Sequence, residues 1–383
     1  LLSKIIYFVD FQVFENSTTY TCLFYLDAEK TDSNELKYFN FEDPENDFQK
    51  VEQVPSLFNK DDLDSSPWYF AAFEIHEKFI ENITNNTFPL KDLSNLKKVF
   101  VGLQPSINNV FLLEIVEENE SFITCYSKAL DSNHTFEKGL IKKMVKGSKN
   151  IFRYKISSNK ALLFPYENNL ATKRSHLISE AVLQSSYPET WKYLKKCETI
   201  LNEKDALKGN DFYKFIYKKN HLLFDYKKLL IPSLCFGSRF SIDVNGEYYF
   251  TGSGEGGGGG YGLILNEEEN DYNYYNILGI LNSKVISALI ELKGSPKSGG
   301  YKGIDRSFIH SIPLPVLNSE QKINIVQEIA SKTERLCNLY AEVQSLAVKR
   351  LVSQLENQID TLTLELYEIV DVGIINLINE LND

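Results

Sequence analysis

From about residue 95 the chain falls into short apolar runs, LKKVFVGLQ, NVFLLEIV, ESFITCYS, KNIFRYKI and ALLFPY, each closed by Asn, Ser, Gly or Pro. Runs this short, rich in Val, Ile, Phe and Tyr, predict strands, and their close succession predicts a mostly β, twisted domain. LISEAVLQSSYPETWKYLKKCETILNEKDAL interrupts the series as a helical insertion, after which strands resume in KKLLIPSLC, RFSIDVNGEYYF and GLILNEE. YNYYNILGILNSKVISALIELKG predicts one helix that stops at Gly294. Pro313 and Pro315 then forbid any continuing helix.

Beyond the prolines the period changes. Asn318 with Gln321 three residues on resembles a capping box. Val326, Ile329, Thr333, Leu336, Tyr340, Val343 and Ala347 recur at alternating spacings of three and four, which predicts a long helix with an apolar seam. Leu355, Ile359, Leu362, Leu366 and Ile369 share one face of a second. The two are expected to pack as a hairpin or against the preceding domain.

The start of the chain is different again. IIYFVDF and YTCLFYL read as two buried strands, and an acidic, Asp/Asn/Pro-rich connection follows through about residue 66, the composition of a surface loop or linker. SPWYFAAFEIHEKFIENI has helical spacing, with Ser66 placed to cap it and Pro67 at its first position. Because the first residue is Leu1 and it opens close to a strand, the chain is expected to be a piece of something longer.

Charge is distributed unevenly. The net value is −11, yet residues 27 to 64 hold twelve acids against four bases and residues 351 to 383 hold seven acids and no base, leaving about +4 for the rest. Residues 138 to 160 carry eight Lys/Arg and no acid, among them Lys142, Lys143, Lys146, Lys149 and Arg153. One-sign clustering in an acidic protein favours contact with a phosphate backbone; the alternative is an ordinary solvated face. Two further basic groups, Lys214/Lys218/Lys219 with Lys227/Lys228 and Lys293/Lys297/Lys302/Arg306, are interleaved with Tyr and Gly, which suits base and sugar contacts.

Several chemistries find no support. No run of eighteen apolar residues and no signal cleavage site is present, so the expected location is the cytoplasm with no membrane contact. Cys22, Cys125, Cys197, Cys235 and Cys337 stand far apart, which fits reduced thiols better than disulfides or a zinc site. No two of the five histidines lie at ligand spacing, and no HExxH or GxSxG occurs, so no catalytic residue and no metal site is assigned. The glycine run GSGEGGGGGYG, residues 252 to 262, lacks the Lys-Ser/Thr and following helix of a phosphate loop. It reads as a flexible loop between strands, or as bare backbone that lets something large come close.

The order of segments carries a resemblance. FVDFQVFENSTTYTCLFYL, LKDLSNLKKVFVGLQPSINNVFLLEI, GLIKKMVKGSKNIFRYK with LLFPY, SYPETWKYLKK, LLIPSLCFGSRFSIDVNGEYYFTG with GGYGLIL, ILGILNSK, SGGYKGIDRSFIHSIPLP and ENQIDTLTLELYEI follow in sequence the back half of type IIG restriction-modification enzymes. These are adenine-N6 DNA methyltransferases with a TaqI-like specificity domain. The resemblance implies an α+β chain. Residues 1–66 would be the end of the methyltransferase domain, a short remnant of its doubly wound sheet, with the acidic linker. Residues 67–315 would be a mostly β target-recognition domain with a helical insertion, and 316–383 a C-terminal long-helix hairpin that braces it. It further implies double-stranded DNA as partner and S-adenosylmethionine as cofactor of the full-length enzyme, held on a missing N-terminal catalytic region or a separate catalytic chain. The glycine-rich cofactor motif and the Asn-Pro-Pro-Tyr loop of the family are absent from all 383 residues, so the chain alone is not expected to methylate.

The same resemblance implies that Phe14 packs against an adenine swung out of the duplex, the alternative being ordinary core. It points to Gln104, Ser106 and Asn108, to Arg239, and to Lys297, Tyr301, Lys302 and Arg306 as DNA-facing. An autonomous specificity subunit that recruits a separate catalytic chain is the second reading. A carbohydrate- or peptide-binding β domain with a coiled-coil tail is the third.

Overall fold

The computed structural model describes residues 2–8, 13–14, 21–27, 34–40, 55–63, 68, 74–209, 211–252, 259–266, 270–342 and 345–382. Within them the chain is α+β, with several sheets followed by a helical C-terminal region.

The two opening runs are strands, Leu2–Tyr7 and Cys22–Leu26, paired antiparallel with Ile5 opposite Phe24. The acidic connection is not simply a linker. It supplies strand Glu35–Asn40, parallel to the first, and Ser56–Asn59, antiparallel to the third, completing a four-stranded sheet. ELKYFN alternates inward Leu36 and Tyr38 with outward Lys37, a period-two signal diluted by the acids around it. Ile5, Leu36 and Tyr38 pack together on one face, and Ile6, Phe8 and Phe39 with Val13 on the other. The proposed cap at Ser66 and Pro67 lies outside the described residues; the helix it was to open is described from Glu74 to Thr84.

A second four-stranded sheet, in the order Ser241–Asp243, Lys228–Pro232, Gly260–Leu265 and Leu96–Val101, is antiparallel throughout and divides the rest of the molecule. Its two central strands, with KLLIP and GYGLIL, read as nearly continuous apolar runs because both faces are covered. Val99, Leu229, Ile231, Leu263 and Leu265 enter one core; Phe100, Leu230 and Ile264 enter another. Lys228 is wholly buried in this sheet, its Nζ 2.5 Å from an Asp243 carboxylate oxygen and bonded to the Phe224 carbonyl. Burial lowers its pKa against the pull of Asp243. Lys228 is therefore a core ion pair and not part of a surface basic group.

Beyond Phe100 lies a six-stranded sheet, in the order Tyr248–Phe250, Ile141–Val145, Lys160–Leu163, Leu112–Glu118, Phe122–Ser127 and Ser132–Glu137. The predicted insertion covers it as helices Glu180–Ser186, Pro188–Lys196 and Glu198–Asn202. Glu137 fastens the middle helix by accepting from the backbone N–H groups of Glu189 and Thr190 at 2.9 and 3.0 Å, and the Tyr193 hydroxyl donates to the Val110 carbonyl at 2.7 Å.

On the other side of the partition the helices gather. The segment read as a single helix is two, Tyr274–Leu281 and Lys284–Lys293. Asn282 leaves the helix to exchange two hydrogen bonds with the Phe240 backbone, each 2.9 Å, and Ser283 caps the second helix of the pair. Gly294 ends that helix as expected. Pro313–Pro315 form a short strand against Thr87–Pro89. The long helix runs Glu320–Ala341 with Val326, Ile329, Thr333 and Leu336 buried, and its cap is Ser319, whose hydroxyl accepts from the Lys322 N–H, rather than Asn318. It stops before Val343, which lies outside the described residues, and Ala347 belongs to the next helix, Leu346–Leu366. That helix packs against the first as a hairpin, and the pair also packs on Tyr274–Leu281. Gly279 permits the closest approach: a Cβ there would meet Thr333 Oγ1 at 2.4 Å.

Candidate nucleic-acid interface

Loops that are distant in sequence meet at one end of the partition sheet. Leu103 N–H donates to the Phe250 carbonyl at 2.8 Å and Gly252 N–H returns a bond to Leu103 at 2.9 Å. Gly102 has no side chain because a Cβ would lie 2.2 Å from the Thr251 backbone. The far stem of the glycine run is tied as firmly: Ser233 N–H donates to the Gly259 carbonyl at 3.0 Å, and Ile304 N–H to Ser233 at 2.9 Å. Backbone bonds thus bring the glycine-run stems between the segment around Gln104 and the hairpin Ser295–Lys297/Tyr301–Gly303. Residues 253 to 258 themselves lie outside the described set.

Each candidate has a definite place. Gln104 is exposed and bridges backbone to Tyr217, itself exposed and followed by exposed Lys218 and Lys219. Ser106 is a latch: its hydroxyl donates to the Lys214 carbonyl at 2.9 Å and accepts from Ile216 N–H at 2.8 Å, leaving it little capacity for a base. Asn108 starts a short helix at the rim of a 310 Å³ cleft that Asn109, Tyr126, Lys128, Lys146 and Thr251 also line.

The lysine-rich segment is less uniform than its sequence. Lys143 lies 2.8 Å from Glu247, and that hydrogen bond raises its pKa. Lys160 and Lys138 are held by Glu114 and Glu118. The Lys142 ammonium sits 5.9 Å from the Tyr249 ring centroid. Lys146 and Lys149 have no ion pair among the described residues, and Lys149 is exposed on the turn Gly147–Lys149.

Arg153 departs from the expectation of a DNA-facing cation. It is turned inward, donating to the Asn282 carbonyl; burial works against its charge, but the fields of Tyr154, Glu356 and Asp360 prevail and hold its pKa up. Burial in turn raises the pKa values of Glu356 and Asp360 on the terminal hairpin. Arg153 is thus a strut between the β region and the terminal helices. Its partners lie over a hundred residues away, which a run of lysines conceals.

Arg239 reaches toward that same segment, with its guanidinium 5.7 Å from the Phe152 ring centroid. Lys297 stands opposite Tyr301 in the hairpin, and Lys302 is 3.7 Å from Glu291. Arg306 is exposed in the first turn of helix Arg306–Ser311. Phe14, between the first two strands, is 56% exposed, so it is not core. Phe236, 61% exposed beside Tyr301, went unread in the sequence, although an aromatic before Gly237 at φ +62° is the available signal. Among the described residues no His/Cys/Asp/Glu group could hold a metal, and no helix is long and apolar enough to cross a membrane. The glycine run leads into strand Gly260–Leu265 and not into a helix, so it does not fit the phosphate or cofactor loop of an S-adenosylmethionine site.

No protein-family model matches the chain. Over 400 residues it is 25% identical to the type II restriction enzyme and methyltransferase RM.Eco57I of Escherichia coli, a match that takes in 97% of this chain and 38% of that protein. In fold it is similar to the type IIL restriction-modification enzyme MmeI, solved in complex with DNA, with a TM-score of 0.51 at 11% identity, covering 100% of this chain and 46% of that one. The chain spans less than half the length of either relative. The likeness drawn from the order of its segments therefore holds: over nearly its whole length the chain is similar to part of a combined type II restriction enzyme and methyltransferase.

Proposed function

We propose that the chain is the sequence-reading, duplex-DNA-binding part of a type IIG restriction-modification enzyme that methylates adenine at N6 with S-adenosylmethionine bound elsewhere, acting in the cytoplasm. One observation carries this reading: the loops around Gln104, Tyr217, Gly252/Gly259 and Tyr301 are joined by direct backbone bonds at one end of a rigid sheet, with Lys146, Lys149, Lys218, Lys219 and Arg239 among them. Such a set supplies cations that form no ion pair among the described residues, for phosphates, and amide and aromatic side chains for base edges. In this reading Gln104, Asn108 and Tyr301 are base-reading candidates, Lys146, Lys149, Lys297, Lys302, Arg239 and Arg306 hold backbone, and Phe14 stacks on the extruded adenine.

The chemistry needs a catalytic region that these residues do not provide. Strand Cys22–Leu26 is one edge of the N-terminal sheet and leaves Leu23, Phe24, Tyr25 and Leu26 exposed. An apolar edge of that kind supports docking of further sheet, whether from the same polypeptide or a separate catalytic chain. The test is duplex binding as a function of salt. Log affinity is expected to fall linearly with log salt at about −0.9 per phosphate neutralised, and Lys146→Ala and Lys149→Ala each to reduce the slope by about 1. Absence of binding to any duplex, or affinity indifferent to salt, overturns the proposal.

A further inference from the structure

We infer that Phe236 and Tyr301 form an aromatic platform that lodges against a base step of bound duplex and unstacks it; this rests on the DNA-binding reading above. The two rings meet edge to face, centroids 6.2 Å apart at 67°. Phe236 is 61% and Tyr301 37% exposed, while most phenylalanines of the neighbouring β region, such as Phe100, Phe111, Phe224 and Phe240, are fully buried. Apolar rings held in water without cover are costly unless something comes to cover them.

The platform is built rather than incidental. Cys235 is fully buried and pairs with Lys302, so the residue after it is projected from a fixed strand end. Gly299 and Gly300 adopt φ of +77° and +75°, a conformation side chains resist, and a Cβ on Gly300 would lie 3.5 Å from the Phe236 ring. Phe236 therefore rests on the bare backbone of the hairpin tip. Glu291 accepts from Gly237 N–H at 3.3 Å and lies 3.7 Å from Lys302 Nζ, tying both sides of the platform to helix Lys284–Lys293. Rings fixed in this way lose little conformational freedom on binding.

The neighbours decide the occupant. Lys297 stands across from Tyr301, Lys302 follows it and shares its charge with Glu291, and Arg239, three residues after Phe236, turns its guanidinium toward Phe152. An apolar protein partner calls for a wider apolar surface, whereas two aromatic rings in a cationic rim match a nucleic acid, whose phosphates meet the rim and whose base planes meet the rings. Apolar side chains inserted at a base step part the stack and kink the duplex, and the parted base recovers stacking on the ring. The hairpin's tie to Ser233, and through it to Gly259, puts the platform on the same end of the sheet as the loop of Gln104.

The test uses the full chain with duplexes it selects from a random-sequence pool, resynthesised with 2-aminopurine at each adenine in turn. Binding by the wild type is expected to brighten the probe at one step besides any adenine extruded toward Phe14. Phe236→Ala is expected to abolish that signal and weaken binding about tenfold with an unchanged salt slope, since no phosphate contact is removed. Phe236→Trp restores both, and Tyr301→Ala has a smaller effect. Equal affinity and equal brightening for Phe236→Ala, or no brightening at any such step with the wild type, overturns the platform while leaving DNA binding standing. Failure to select any duplex overturns the binding reading and the platform with it.

Discussion

The two cores that share the partition sheet are packed with different materials. On the side of Phe100 the rings of Phe100, Phe224 and Phe250 meet at centroid distances of 4.9 to 5.6 Å, and Phe224 stacks on Tyr249 at 4.8 Å. On the side of Val99 most of the buried side chains are Leu, Ile and Val from the sheet and from helices Tyr274–Leu281, Lys284–Lys293 and Glu320–Ala341, with rings such as Phe79, Phe240 and Tyr272 in the minority. Aromatic pairs have directional optima, and aliphatic side chains fill space with less regard to angle. Each loop at the proposed interface on the aromatic side begins next to a locked ring: Gly102 follows the strand of Phe100, Thr251 follows Phe250, and Tyr217 lies two residues from Phe215. The lesson is that the aromatic core fixes the loops of Gln104, Thr251 and Tyr217 in the proposed interface, while the aliphatic core joins helices into a brace and carries the Tyr301 hairpin.

That contrast is open to attack at three levels of effect. The largest is expected from Phe224→Ala, at about 3–5 kcal/mol by urea unfolding, because it opens a cavity at the centre of the ring cluster. Hydrogen exchange should then quicken around residues 101–109 and 214–219 and not in the terminal hairpin; a uniform increase along the chain breaks the division into two cores.

Next comes pH. His221 is buried among Phe164, Tyr166 and Phe215, and burial, helped by Lys218, lowers its pKa from 6.5 to about 4. Between those values the unfolded chain binds a proton that the folded chain refuses, so this contribution to stability is whole above about pH 6.5 and is lost as pH falls toward 4. The loss is up to about 3 kcal/mol. His221→Phe should flatten that part of the stability profile; an unchanged slope removes His221 from the aromatic core's account.

The smallest effect is on the aliphatic side. Gly279→Ala places a methyl against Thr333 and Ile329 at 2.4 and 2.6 Å, which should cost about 1–3 kcal/mol in thermal melts while leaving exchange in the aromatic core untouched. Destabilisation that spreads to the six-stranded sheet denies the independence of the brace.

Much of this architecture was legible in the chain. Period-two runs such as FITCYS and continuous ones such as KLLIP lie in strands, and Pro313 ended the helical pattern where it had to. The alternation in ELKYFN was obscured by the acids on either side, so two strands of the first sheet were read as linker. The break at Asn282 was invisible because its cause, the Phe240 backbone, is forty-two residues away. Arg153 and Lys228 were misread for the same reason. Charge in a sequence states a side chain's sign, while its direction is decided by distant partners, here Asn282 with Glu356 for one and Asp243 for the other. The site was legible as a set of loops, since turn residues and basic clusters are local signals. Which members face outward was not, and Phe236 went unseen because one aromatic in CFGSRF looks like any other strand residue.

The paired stems of the glycine run have a consequence for change over time. Gly252 and Gly259 are pinned by backbone bonds to Leu103 and Ser233, so the stretch between them can gain or lose residues without moving either anchor. Doubling such a span costs about 0.6 kcal/mol in closure entropy. Insertions and deletions there are cheap in folding terms, giving a lineage room to vary the length of this stretch while the scaffold stays as it is.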